Sequence, residues 1–207
     1  MPTQLDLEER RRAAILDAAG TLIAERGYHA VRIADVARLV GTSTGAVHYY
    51  FPGKNDVLTA ALRHSVERAF ERQSAALAGI DDAHQRLLKL IDMQLPRVGG
   101  VRDEWSVWIQ FWAEATIHPE LRPVHNQFYA RWQETVARIV RRGQRQGVFH
   151  AEVDVDGVTR RLTALTDGAA IQVLTGAPGM TVTVMRELLV EFVRRELIPP
   201  GTDPAGN

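Results

Sequence analysis

The chain has 207 residues, 25 basic and 25 acidic side chains for a formal net charge of zero, and 45% hydrophobic residues. That length suits one or two folded domains with a buried core, and the balanced charge by itself argues weakly against nucleic-acid binding, whose affinity comes largely from neutralised phosphates. Cysteine is absent, which excludes a disulfide framework, a thiolate nucleophile and a cysteine metal site.

The N-terminal stretch MPTQLDLEERRR lacks the apolar core of a secretory signal, and a cytoplasmic location is expected. Ile15, Ala18, Ala19, Leu22 and Ile23 recur at helical spacing and predict an amphipathic first helix that closes at Gly27-Tyr28. Residues 31–62, VRIADVARLVGTSTGAVHYYFPGKNDVLTAAL, are the most informative part of the chain. Ile33, Val36, Ala37 and Val40 put one face of a second helix against a core, and Gly41 breaks the pattern. Ser43 stands where an N-cap accepts from the free amides of a third helix running to about Phe51. In that helix Val47 and Phe51 point inward, leaving Thr44 and His48 on one outward line and Gly45 and Tyr49 on another. Two short helices joined by such a turn read as a helix-turn-helix that contacts DNA.

The run G-T-S-T-G-A-V-H-Y-Y-F, followed by Pro52, Gly53, Lys54, Val57 and Leu58, resembles the signature of TetR-type transcriptional repressors. The likeness covers roughly the first sixty residues. It implies a three-helix DNA-binding domain over residues 1–54 whose contacts are Arg32, Ser43, Thr44, Gly45, His48, Tyr49, Tyr50 and Lys54. Thr44 and His48 would face base edges, and Tyr49, Tyr50 and Lys54 would hold phosphates. The family usually opens its second helix with a small hydroxyl residue; here the sequence reads Val31-Arg32-Ile33, and Arg32 is expected to hold a phosphate instead. Residues 1–64 carry eight basic and seven acidic side chains, so a single reader would bind weakly. Two readers on a symmetric dimer double the contacts, and hydroxyls, backbone amides and helix N-termini add uncharged grip.

Beyond the reader, helical patterns alternate with short breaks, and no strand-like alternation appears. A connecting helix is expected over 55–78. A second, capped by Asp81-Asp82, runs through Leu87, Leu88, Leu90, Ile91 and Leu95 to Pro96 and Gly99-Gly100. A third covers 103–117, ended by His118-Pro119, and a fourth 120–146. The last two span 155–175 and 181–197. The uncharged run 168–185 is long enough to raise a membrane span, but Gly176-Ala-Pro-Gly179 cuts it. Val158, Leu162, Leu165, Ala169 and Val173, with Val182, Met185, Leu188, Leu189, Phe192 and Val193, are expected to meet their symmetry mates in a four-helix bundle. Gly168, Ala169 and Ala170 permit close crossing, and Leu189→Arg is expected to split the dimer. Residues 55–198 thus read as a ligand-binding and dimerisation domain, and 199–207 as a flexible tail.

Trp105, Trp108 and Trp112 fall within a sector of about 60° on their helix, and Phe111, Phe128, Tyr129 and Trp132 follow nearby. Two readings stand: core packing, which periodicity alone favours, or the wall of a ligand cavity. W-x-x-W-x-x-F-W-A-E-A, then H-P-E-L-R, F-Y-x-R-W and G-x-x-x-G-V-F, resemble the C-terminal domain of TetR repressors related to the choline-responsive regulator of glycine-betaine synthesis. The cavity reading names Met93, Trp105, Trp108, Trp112, Phe128 and Tyr129 as ligand contacts, and aromatic faces suit quaternary ammonium cations. Glu104 and Glu114 are expected on solvated faces.

No phosphate-cradling glycine loop, nucleophile elbow or paired-histidine metal motif occurs, so an enzyme is not expected, nor a metal or cofactor. The expectation is an all-α homodimeric repressor that binds a palindromic operator and is released by a small organic effector, with no membrane association. An activator or a helical interaction protein on the same scaffold is the alternative.

Overall fold

A computed structural model describes residues 3–199, and all regular structure among them is helical. The helices are α1 (Gln4–Arg26), α2 (Ile33–Val40), α3 (Thr44–Tyr50), α4 (Lys54–Leu77), α5 (Ala83–Gln94), α6 (Gly100–Ile117), α7 (Arg122–Gln146), α8 (Val155–Thr175) and α9 (Val182–Leu197), with one 3₁₀ turn at Pro119–Leu121. The chain divides into two units. One takes in the described residues through Arg72 together with Arg102–His125; the other takes in Gln73–Val101 and the described residues from Asn126 on. The expected tail, Pro199 apart, lies outside the described residues.

Local chemistry sets the helix ends. Thr3 accepts from the Asp6 amide while Asp6 accepts from the Thr3 amide, a reciprocal cap on α1. Ser43, Asp82, Asp154 and Thr181 cap α3, α5, α8 and α9 in the same one-sided way, each accepting from the amide three residues on. Arg32 occupies the corresponding place before α2 and makes no side-chain cap bond. Helix α5 stops at Gln94 and α6 already begins at Gly100, so the double glycine opens a helix instead of closing one.

In the first unit Ile15, Ala19, Leu22 and Ile23 of α1 are buried with Val36, Ala37, Val47, Phe51, Val57 and Leu58, and α1 packs on α2 and α2 on α3. Ile33 and Val40 are only half-buried. In the second unit α8 packs on α9 and α5 on α9. There Val158, Leu162, Ala169, Ala170, Met185, Leu189 and Val193 are buried within their own chain. They do not wait for a symmetry mate, which corrects the expectation for these positions. An apolar stripe says that a helix face is covered, not which chain covers it. Leu165, Gly168, Val173, Val182, Leu188 and Phe192 stay half-exposed and are the members of the expected bundle surface still open to a partner.

Candidate functional site

Gly41 adopts φ +75°, the left-handed conformation that a side chain resists, and its amide and that of Thr42 close α2 onto Arg38 and Ala37. The chain then reverses into α3, where the Ser43 hydroxyl accepts from the Ala46 amide at 3.1 Å. Val47 is fully buried and Phe51 nearly so. These two anchors turn Thr44, Gly45, His48 and Tyr49 to solvent, and Tyr49 is 76% exposed. The outward lines read from the sequence are present as expected.

The polar groups on this face are partly fixed. His48 Nδ1 lies 3.2 Å from the Pro52 carbonyl oxygen; a carbonyl only accepts, so Nδ1 is the donor in that bond, and Nε2 is left as the second polar atom of an exposed ring. Tyr49 and Tyr50 stack edge-to-face at 5.1 Å, and Arg12 lies 5.4 Å from the Phe51 ring centre. Lys54 Nζ donates to the His29 carbonyl at 2.7 Å, tying the start of α4 to the loop before α2. An ammonium keeps two further protons after that bond. Arg32 is exposed.

The far side of the same unit is where the sequence reading fails. Glu114, expected on a solvated face, is 5% exposed. Its carboxylate lies 2.7 Å from His29 Nε2 and 3.7 Å from His118 Nε2, in a cleft of about 550 Å³ that Tyr28, Thr59 and Arg63 also line. Burial raises the Tyr28 phenol above its ordinary value and the Glu114 charge adds to that rise, against a hydrogen bond with Thr59 that lowers it. Glu104 is also paired, accepting from Arg72 at 2.7 Å. The angular argument failed at Glu114 because α6 is covered on more than its tryptophan side, and a helical wheel built on one stripe does not see a second neighbour.

One turn earlier on α6, Gln110 brackets the end of α1. Its Oε1 accepts from the Tyr28 amide at 2.6 Å and its Nε2 donates to the Ile23 carbonyl at 3.0 Å. Sequence reasoning missed this residue; its sole signal was a neutral amide inside the aromatic run WSVWIQFW.

Trp105 is buried, and Trp108 and Trp112 are half-buried. The Trp112 ring centre lies 6.1 Å from those of both Trp105 and Trp108, so the stripe is one aromatic cluster. The remaining expected ligand residues belong to the other unit. There Phe128 is buried while Met93 and Tyr129 are half-buried. The Tyr129 hydroxyl donates to Asp167 of α8, and Trp132 Nε1 donates to Thr163 Oγ1 at 3.2 Å. Burial, with the Asp167 hydrogen bond, holds the Tyr129 phenol well above its ordinary pKa. Asp167 was also missed, although it is the sole charged residue between Arg161 and Arg186.

Residues 15–61 match the bacterial regulatory proteins of the tetR family, and residues 83–198 match the BetI-type transcriptional repressor C-terminal domain. The chain belongs to the TetR family, with a BetI-type C-terminal domain. Among solved structures, a transcriptional regulator from Saccharomonospora viridis in complex with choline is 48% identical, with a TM-score of 0.87 over 92% of this chain and 99% of that one. The HTH-type transcriptional regulator BetI of Klebsiella pneumoniae is 27% identical over 210 residues, 95% of this chain and 99% of that one. BetI of Brucella canis is 26% identical over 128 residues, and that match spans 64% of the relative's length and 62% of this chain. These relatives are regulators, not enzymes. No helix among the described residues is long and apolar enough to cross a membrane.

Proposed function

We propose that this TetR-family chain is a homodimeric transcriptional repressor that binds a palindromic operator through α3 and releases it when a choline-like cation binds. The observation that carries the reading is the reader helix itself: Ser43 caps it, Val47 and Phe51 anchor it, and Thr44, His48 and Tyr49 face outward. Residues 1–54 form the reader in this reading, and 55–198 the effector and dimerisation part.

Thr44 and the His48 Nε2 read base edges, while Arg32, Tyr49, Tyr50 and Lys54 hold phosphates and Ser43 and Gly45 present backbone amides. Trp108 and Trp112, half-buried within one ring cluster, offer the faces that a quaternary ammonium needs. Support for choline as the probe comes from the Saccharomonospora viridis relative.

The test is a fluorescence-anisotropy titration of DNA from beside the chain's own coding region, at stated salt, with and without choline. Specific binding that Tyr49→Phe weakens about alike for every sequence, and that choline weakens for the parent protein, is the expected result. Operator affinity unchanged in both Tyr49→Phe and Lys54→Ala would refute the contact assignment.

A further inference from the structure

Hydroxyl groups fix a phosphodiester in place, whereas its charge is met by arginine or lysine. Tyr49 and Tyr50 supply hydroxyls only, so a cation beside them has to come from another element. Most cations of the first unit are already engaged. Arg26 and Arg38 share Asp35, Arg68 takes Asp17 and Arg72 takes Glu104, while Lys54 is bonded to the His29 carbonyl. Arg11 of α1 is exposed and has no carboxylate within ion-pair distance among the described residues.

Arg11 also stands in a particular place. A cleft of about 600 Å³ is lined by Glu8 and Arg11 of α1 on one side and by Thr42, Tyr49 and Tyr50 of the turn and reader helix on the other. Its walls are held in register by the neighbours of Arg11. The Arg12 guanidinium lies 5.4 Å from the ring centre of Phe51, the residue that ends α3, and Ile15, one turn further on, is buried. Thr42 and Tyr49 are exposed and Tyr50 is half-buried, and none of their three hydroxyls is hydrogen-bonded among the described residues. Glu8, the carboxylate of the lining, accepts from Gln4 Nε2 at 3.1 Å, so it is engaged one turn back along α1 and not with Arg11. The cleft thus brings one unpaired guanidinium against three hydroxyl donors, the complement of a singly charged phosphodiester.

We infer that this cleft seats a backbone phosphate of the bound duplex, with Arg11 as its countercharge and the hydroxyls of Thr42, Tyr49 and Tyr50 as the groups that position it. The first helix is then part of the DNA interface and not only the support on which α2 and α3 rest. This rests on the repressor reading above and deepens it, because Tyr49 faces outward from the reader helix and shares the cleft with Arg11.

The experiment measures the salt dependence of DNA binding by fluorescence anisotropy, with the full-length protein and DNA from beside its own coding region. Each neutralised phosphate adds about 0.9 to the slope of log affinity against log salt. Arg11→Ala is expected to reduce that slope by ~1 per reader and ~2 for a dimer, with the melting temperature little changed. The parent protein's advantage over this variant then shrinks roughly tenfold between about 50 and 200 mM salt, alike for specific and random duplexes. Arg11→Lys is expected to keep the slope at lower affinity, since an ammonium carries the charge without the two-pronged fork. Arg10→Ala removes the same charge one residue round the helix, outside the cleft, and is expected to change the slope by less than half as much.

An equal change in Arg10→Ala overturns the inference, since it would mean a diffuse field and not a site. Isothermal titration with inorganic phosphate separates a free anion from a DNA phosphate. No Arg11-dependent binding is expected at millimolar concentration, and such binding would assign the cleft to the free anion instead. A parent protein that binds no duplex at about 50 mM salt refutes the repressor reading and this inference with it, whereas a parent that binds with a slope unaltered in Arg11→Ala refutes the inference alone.

Discussion

Replacing Gln110 by alanine tests the joint between α6 and the end of α1. The side chain makes two bonds to backbone, with the Tyr28 amide at 2.6 Å and the Ile23 carbonyl at 3.0 Å. Their loss is unequal. The Ile23 carbonyl keeps the Gly27 amide at 2.9 Å, so it stays satisfied. The Tyr28 amide belongs to a residue 7% exposed, and it is left facing a cavity that the truncated side chain no longer fills. An orphaned buried donor costs about 1–3 kcal/mol, so a loss of ~2 kcal/mol is expected. For a chain of this size that lowers the melting temperature by about 4–8 °C. Urea denaturation and amide hydrogen exchange measure the two halves of the argument: the global loss, and faster exchange at Tyr28 than at the buried amides of α1. A loss below about 0.5 kcal/mol with unchanged exchange at Tyr28 would mean that water replaces the amide at no cost, and the reasoning fails.

Other outcomes follow from single contacts. Gly143→Ala is expected to destabilise the second unit by at least ~2 kcal/mol in chemical denaturation, because a Cβ at this buried position of α7 would occupy the space of the Phe149 ring. His84 stacks edge-on against Phe149 at 6.4 Å, and burial lowers its pKa below the ordinary 6.5, partly offset by Asp82. Because the unfolded chain takes up this proton first, the stability contributed here is complete above pH 6.5 and is lost as pH falls through the folded value; His84→Gln is expected to flatten the acid limb of a stability-against-pH curve. Leu189 is fully buried in its own chain, so Leu189→Arg is expected to unfold the second unit at a cost of about 3–5 kcal/mol. Leu188→Arg, at a half-exposed position, is the variant expected to give a folded monomer by sedimentation, and an intact dimer would place the interface elsewhere.

The reader was legible in the sequence because its determinants are local. Val47 and Phe51 lie four residues apart and share one helix face; Ser43 and Gly41 act on amides within three or four residues; and the outward positions of Thr44, His48 and Tyr49 follow from helix period alone. The same is true of most helix boundaries, where Asp82, Asp154 and Thr181 announce the starts they cap.

What covers a helix face is not local, and there the tertiary structure decided. Glu114 was placed in solvent by an angle measured from Trp108, but His29, 85 positions away in the chain, closes over it. Gln110 became a clamp because the end of α1 lies against it, 82 residues distant in sequence. Leu188 and Leu189 are adjacent apolar residues that no pattern separates; packing within the protomer buries the second and leaves the first half-exposed. Asp167 likewise reads as one acidic residue in an apolar helix until Tyr129, 38 residues earlier, is seen to hold it. Helix period specifies which side chains share a face, whereas burial, ion pairing and the field at a carboxylate depend on which distant segment arrives there, and that is settled only when the whole chain packs.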